Sequence, residues 1–193
     1  MIDASASPPA APSPTDGFPF ALARVIAVAL AIIAVDQWTK HWVSTHLRQL
    51  GSFSPGYDRI VIIPGFFDIV HHRNFGAAFG ILQGHRTFFL VATVVAMILL
   101  FYMFHTAWRS GERRCSRHVV WPLFFGGAVG NLIDRIRGDG VVDFLHFYHE
   151  PLGHYPSFNV ADSCICIGIC LLIFYSLPRR RRTGAGADAS LHS

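Results

Sequence analysis

Two carboxylates stand out in this 193-residue chain. Asp143 lies within Val141-Val-Asp-Phe-Leu, with apolar residues on both sides. Asp162 follows Asn159 by three residues and opens an apolar run with no cation until Arg179. Neither setting suits a solvated loop charge. Like charges at short range cannot both ionise, so two such carboxylates brought together share a proton. The ionised member then accepts a proton from water while the protonated member polarises a carbonyl. That is peptide hydrolysis by general acid–base catalysis. Burial raises the upper apparent pKa, and both values belong to the pair.

The elements that must position this pair are membrane helices by composition. The chain is 52% hydrophobic and 15% charged, with a mean hydropathy of +0.39. A soluble domain carries about 25% charged residues. The net charge of +4 does not call for nucleic acid, because the basic residues concentrate beside apolar runs, where topology explains them. Cys164, Cys166 and Cys170 share one apolar segment and, with Cys115, read as small hydrophobes, not as a disulfide or zinc framework.

Four apolar runs are expected to span: Phe18 to Val35, Phe88 to Phe104, Val119 to Ile133 and Ser163 to Leu177. Each reaches the roughly 20 residues a spanning helix needs only by including its polar ends. Residues 1–17, rich in Ala, Pro and Ser, read as a disordered leader. A cleaved signal peptide over residues 1–35 lacks the basic start it would want. Arg109, Arg113, Arg114 and Arg117 crowd one link, and Arg179 to Arg182 open a basic tail, 179–193. Both are expected in the cytoplasm. Four spans then put both termini there, with segments 43–87 and 136–157 on the other side. Within 43–87, Arg59-Ile-Val-Ile-Ile-Pro and Phe66-Phe-Asp-Ile-Val-His read as two short strands about a Pro-Gly turn. The expected fold is mainly α: a polytopic protein with four transmembrane helices and a small extracytoplasmic β-sheet on the membrane surface. Phe53, Phe66 and Phe67 would anchor the sheet, and Trp38, Trp42, Trp108 and Trp121 would form an interfacial belt.

In this topology Asp36 and Lys40 end span one, Asn131, Asp134 and Arg135 end span three, and Asn159 and Asp162 begin span four. All fall at one face. Ionisable residues beside spans are costly and usually functional. For Lys40 and Arg24, snorkelling or structural pairing serves equally well, since Asp36 and Lys40 are spaced i, i+4.

These stretches resemble the lipoprotein signal peptidase family, also called signal peptidase II, from about Val35 to Leu177. The likeness rests on Asp36-Gln-Trp-Thr-Lys40, Asn74-Phe-Gly76-Ala-Ala78-Phe, Gly126-Gly-Ala-Val-Gly130-Asn131-Leu-Ile-Asp134-Arg135, Val142-Asp143-Phe144 and Phe158-Asn159-Val-Ala161-Asp162. Five pieces in order make the match specific. It implies an aspartyl endopeptidase of the bacterial inner membrane, with Asp143 and Asp162 as the catalytic pair near the extracytoplasmic leaflet. Its substrate would be a prolipoprotein carrying a diacylglyceryl group on a cysteine, cut just before that cysteine. The resemblance implies no metal or cofactor and no nucleic acid; membrane lipid is the surrounding partner, and a monomer is expected. Asp36, Lys40, Asn74, Gly76, Asn131, Arg135, Asn159 and Ala161 would line the site or bind substrate. Asp134 would support it, pairing with Arg135. Gly126, Gly127 and Gly130 would let backbones approach closely, and the Asn74–Gly76 loop would lie over the cleft as a flap.

Rival chemistries fit less well. His146, His149, Glu150 and His154 do not form His-Glu-x-x-His, and Pro151 and Gly153 break any helix that would align them as a metalloprotease site. Ser163 has no evident base for a serine protease. Gly138-Asp139-Gly140 is turn-like and is not the Gly-x-Gly-Asp order of presenilin-like proteases. A transporter would carry charges through its spans, and many show an internal repeat. A structural adaptor would explain the helices but not the carboxylates.

Overall fold

The computed structural model describes residues 18–49, 58–76, 83–109, 117–149, 151 and 153–177. Chain order is α1 (Phe18–His46), β1 (Ile60–Ile63), β2 (Phe67–Asn74), α2 (Arg86–Arg109), α3 (Arg117–Arg137), β3 (Val141–His149), β4 (Gly153–His154) and α4 (Val160–Ser176). The fold is mainly helical with one small open sheet, in the order β1-β2-β3-β4. The leader, the basic tail, Phe53, Cys115, Arg113, Arg114 and the Ala77 to Phe79 part of the second motif lie outside the described residues.

Helix α3 is central and packs on α1, α2 and α4. Helix α2 is apolar around its whole circumference. Phe104 is its one buried residue, while Phe88, Val91, Ile98, Leu99 and Tyr102 are exposed. An all-round apolar helix is stable only when something other than water surrounds it. Helices α1 and α2 are long and apolar enough to cross a membrane. Helix α3 carries Asp134, Arg135 and Arg137 in its last turns, and α4 has only 17 residues.

Three expectations change here. Helix α1 continues to His46, so Asp36 and Lys40 lie inside a helix and not at its end. Trp121 is buried edge-on against Phe104, with ring centroids 5.5 Å apart. It belongs to the core that also holds Val25, Val120 and Phe124, whereas Trp38 and Trp42 are exposed. Of the expected sheet anchors, Phe66 is exposed, but Phe67 stacks on Phe147 at 4.5 Å and serves packing within the sheet.

The sheet delivers one catalytic candidate. The turn from α3 to β3 uses Gly138 and Gly140 at φ 92° and 77°, values that favour glycine. It reverses the chain so that β3 runs antiparallel to β2, with His72 opposite Asp143 and Asn74 opposite Val141. Positions on one face alternate, so Asn74 and Asp143 share a face.

The α3 glycines set the helix spacing. A Cβ on Gly127 would stand 2.5 Å from the Ala161 carbonyl oxygen, and one on Gly130 would stand 2.6 Å from Asp36 Oδ2. On Gly126 it would meet Ile32 at 2.8 Å. Backbone and a buried carboxylate cannot yield as a flexible tip can. Gly127→Val is therefore expected to lower the melting temperature and to push α4, with Asp162, away from α3. Melting curves would check this; an unchanged melting temperature would refute the close-contact role.

Candidate active site

Asp162 is fixed by the way α4 begins. Asn159 is the N-cap, and Asp162 is the third helical residue. The Asp162 N–H donates to Asn159 Oδ1 at 2.9 Å, and the Asn159 N–H donates to Asp162 Oδ2 at 3.3 Å. This reciprocal capping box satisfies two orphan donors of the helix start and holds the carboxylate against the first turn. Its other oxygen accepts from Asn131 Nδ2 of α3 at 2.7 Å.

Asp143 arrives from the sheet. Its Oδ1 accepts from Asn159 Nδ2 at 2.7 Å and its Oδ2 from Asn74 Nδ2 at 3.1 Å. Asn74 Oδ1 in turn accepts the Gly76 N–H at 3.0 Å. Asn159 thus touches both acidic residues, and its second amide hydrogen reaches Asn131 Oδ1 at 3.2 Å. Asp143 and Asp162 open onto one cavity of about 390 Å³, lined also by Asn74, Gly76, Asn131, Arg135, Tyr155, Phe158, Ser163 and Cys166. Arg135 stands on this wall with its guanidinium 5.5 Å above the Phe89 ring centroid.

Behind the cavity sits a buried charge cluster. Lys40 Nζ lies 2.8 Å from Asp36 Oδ2, 2.8 Å from Asp134 Oδ2 and 3.0 Å from Asn131 Oδ1. An ammonium has three donors, and all three are used. Asp36 Oδ1 accepts the Ala161 N–H at 2.9 Å, another orphan donor of α4. Lys40 is buried and does not snorkel. Asp134 pairs with Lys40 and not with Arg135, because the adjacent residue leaves on another face of α3 while Lys40 enters from α1.

Burial of the Asp143 carboxyl, followed by the negative charge of Asp162, pushes its pKa up to about 7. Hydrogen bonds from Asn74 and Asn159 and the charge of Lys40 oppose the rise. A carboxyl that is easier to protonate when folded than when unfolded destabilises the fold as it ionises. The penalty is absent below about pH 4 and grows as pH rises through about 7. Asp143→Asn removes it. The melting temperature of the variant relative to the parent is expected to be higher at pH 8 than at pH 5, and the corresponding difference in stability has a ceiling of roughly 3 kcal/mol. Taking the difference between the two pH values cancels any pH-independent loss from the new amide. Equal shifts at both pH values would contradict the raised pKa.

The family model for signal peptidase (SPase) II matches residues 28–178. This chain belongs to the signal peptidase II family. Among its relatives, the lipoprotein signal peptidase of Bacillus pumilus (strain SAFR-032) is 40% identical over 156 residues, covering 81% of this chain and 94% of that one. That of Symbiobacterium thermophilum is 41% identical over 165 residues, covering 82% and 98%. Two solved structures of a bacterial membrane enzyme, determined by the in meso method at 2.3 and 1.9 Å resolution, are each 35% identical to it. They superpose with TM-scores of 0.62 and 0.63 and cover 78% and 81% of this chain, and 85% and 94% of their own chains.

In this signal peptidase II, the residues singled out from sequence divide into two layers. Asn74, Gly76, Asn131, Arg135, Asp143 and Asp162 face the cavity. Asp36, Lys40, Asp134, Asn159 and Ala161 lie behind it, and Gly127 is a helix contact. Sequence reasoning missed Gln37. Its Nε2 donates to Asp134 Oδ1 and the Gly130 carbonyl, both at 3.1 Å, while its Oε1 accepts from Arg137. It also missed Ser163 and Cys166 as cavity-lining residues; Cys166, at i+4 from Asp162, shares its helix face, whereas the i+1 spacing of Ser163 carries no such signal. Tyr155, Pro156 and Ser157 gave no signal, because their place depends on the β4 turn.

Proposed function

We propose that Asp143 and Asp162 are the catalytic pair of this aspartic endopeptidase, which removes the signal peptide from diacylglyceryl-modified prolipoproteins. The cut falls just before the lipidated cysteine. The observation that carries the assignment is Asn159, whose one side chain, behind the cavity, donates to the Asp143 carboxylate and accepts the Asp162 N–H. Asp162 sits in the first turn of α4, where the helix dipole favours an anion, so it takes the role of base. It accepts a proton from water as the oxygen attacks the scissile carbonyl. Asp143, protonated, donates to the carbonyl oxygen. Collapse of the tetrahedral intermediate breaks the C–N bond: the proton held by Asp162 goes to the leaving nitrogen, and a hydroxyl of the gem-diol returns a proton to Asp143, which restores the starting protonation of the pair.

Asn74, Gly76 and Arg135 are assigned to substrate contact from their place on the cavity wall. Asp36, Lys40, Asn131, Asp134, Asn159 and Ala161 hold the carboxylates, and Gly127 holds α4 to α3. The assignment extends to four spans, α1 to α4, within a peptidase domain of residues 18–178, with 1–17 as a leader and 179–193 as a cytoplasmic tail. Arginines in the α2–α3 link and after α4 support cytoplasmic termini. The site then opens toward the extracytoplasmic leaflet, where a lipidated cysteine resides. Action as a monomer is part of the same proposal.

The test is purified full-length chain in mixed micelles with two precursors, identical except for the diacylglyceryl group. Mass spectrometry should find cleavage before the cysteine in the lipidated precursor alone, unaffected by chelator. Equal cleavage of both precursors, or loss of activity in chelator, would overturn the reading.

A further inference from the structure

A second cluster lies on the sheet face turned away from Asp143. Asp68 pairs with His146 across β2 and β3, and Tyr148 pairs with His154 across β3 and β4. Alternation puts these side chains on one face. Asp68 is fully buried, and its Oδ1 lies 2.7 Å from His146 Nδ1. Arg59 approaches its other oxygen at 3.4 Å. An Nδ1–H donated to the carboxylate fixes the ring tautomer and turns Nε2 outward. His154 Nδ1 stands 3.2 Å from that Nε2. The two imidazoles are parallel to within 5°, with centroids 5.2 Å apart. The Tyr148 ring is near-parallel to both, at 5.4 and 5.7 Å.

Two ring nitrogens facing each other hold either one proton or one metal ion. Ligands at about 2.0–2.1 Å from a tetrahedral zinc stand roughly 3.3–3.4 Å apart, whereas an N–H donor hydrogen bond prefers about 2.9–3.0 Å. The spacing of 3.2 Å here lies between the two and admits either occupant. His146 is mostly enclosed and oriented by a carboxylate, while His154 is exposed. One ligand is therefore fixed in advance and the other is open to solvent. Among the described residues no third His, Cys, Asp or Glu converges, so water would complete the shell.

We propose that His146 and His154 form a two-histidine site for a borderline divalent cation such as Zn²⁺ or Cu²⁺, oriented by Asp68 and separate from the peptidase centre. Imidazole ligands select this class over Mg²⁺ or Ca²⁺. A bound ion clips β4 to β3. Tyr155 to Phe158, which follow β4 directly, form a wall of the catalytic cavity, so the clip stiffens that wall without touching the carboxylates.

The experiment titrates Zn²⁺ into full-length chain purified without a polyhistidine tag, read by calorimetry, with Mg²⁺ as comparison. One saturable Zn²⁺ equivalent and none for Mg²⁺ is the expected result. His154→Ala should remove it, and Asp68→Asn should weaken it by about 10–100-fold. Hydrogen exchange across 153–158 should slow on Zn²⁺ addition in the parent and not in His154→Ala. No saturable Zn²⁺ binding by the parent would show that the rings share only a proton, and undiminished binding by His154→Ala would place the ion elsewhere; either overturns the proposal. Cleavage of lipidated precursor without added metal is expected to persist in His154→Ala.

Discussion

Replacing either Asp143 or Asp162 by Asn is expected to cut precursor cleavage by about 10²–10⁴-fold, the range for loss of a positioned acid or base. The two losses should not add. The proton taken from water and the proton given to the carbonyl belong to one step, so removing one partner strands the other. The double variant Asp143→Asn/Asp162→Asn should be no slower than the worse single variant, within a few-fold. Independent roles, such as one catalytic acid and one remote structural carboxylate, would multiply the two effects instead. Single-turnover cleavage of lipidated precursor by the three variants distinguishes these outcomes. Folding should survive, because Asn159 and Asn131 still find an acceptor oxygen on an amide. Asp143→Asn should even stabilise the fold at pH 8, where the parent holds a buried ionised carboxyl beside Asp162. A variant that is more stable and inactive separates the energetic cost of the group from its use.

Much of this site is legible in the sequence, and the physical reasons differ by residue. Asp162 is visible because Asn159-x-x-Asp162 before an apolar run is both a capping signal and a charge placed in a helix. The strands about Pro64-Gly65 are visible from turn chemistry. The link between Asp143 and Asp162 is not, because it runs through Asn159, which an isolated bridge between Leu145 and Phe158 brings beside β3. The contact from Asn74 is hidden as well, because it depends on a β2–β3 register that shifts between Ile69 and His72, and periodicity does not reveal a bulge. The partner of Asp134 is hidden for a related reason. Sequence adjacency offers Arg135, but residues one apart on a helix face different ways, and Lys40 arrives from α1 only once the α3 glycines let the helices close. Trp121 looks interfacial because it sits near the start of an apolar run; its burial depends on Phe104 of the neighbouring helix.

Lys40→Met is expected to be the most damaging single change away from the dyad. Lys40 satisfies two buried carboxylates at 2.8 Å each. Removing it leaves Asp36 and Asp134 facing one another without a cation. Breaking a buried pair from one side costs about 3–5 kcal/mol, enough to lower the melting temperature by more than ~5 °C. Lys40→Arg should not rescue it. The three acceptors surround a compact ammonium, and a planar guanidinium on a longer stem cannot meet all three in the same space. Rescue should come instead from neutralising the acids. In Lys40→Met/Asp36→Asn/Asp134→Asn the uncompensated charge is gone. The amide oxygen introduced by Asp36→Asn still accepts the Ala161 N–H, so much of the lost stability should return. The charge of Lys40 lowers the pKa of Asp143, so in the single variant Lys40→Met that pKa rises, and the limb controlled by the pair should move to higher pH in whatever activity remains. Melting curves of the triple variant and the cleavage–pH profile of Lys40→Met test the two parts. A profile unchanged from the parent would mean that Lys40 acts only as a structural counter-ion.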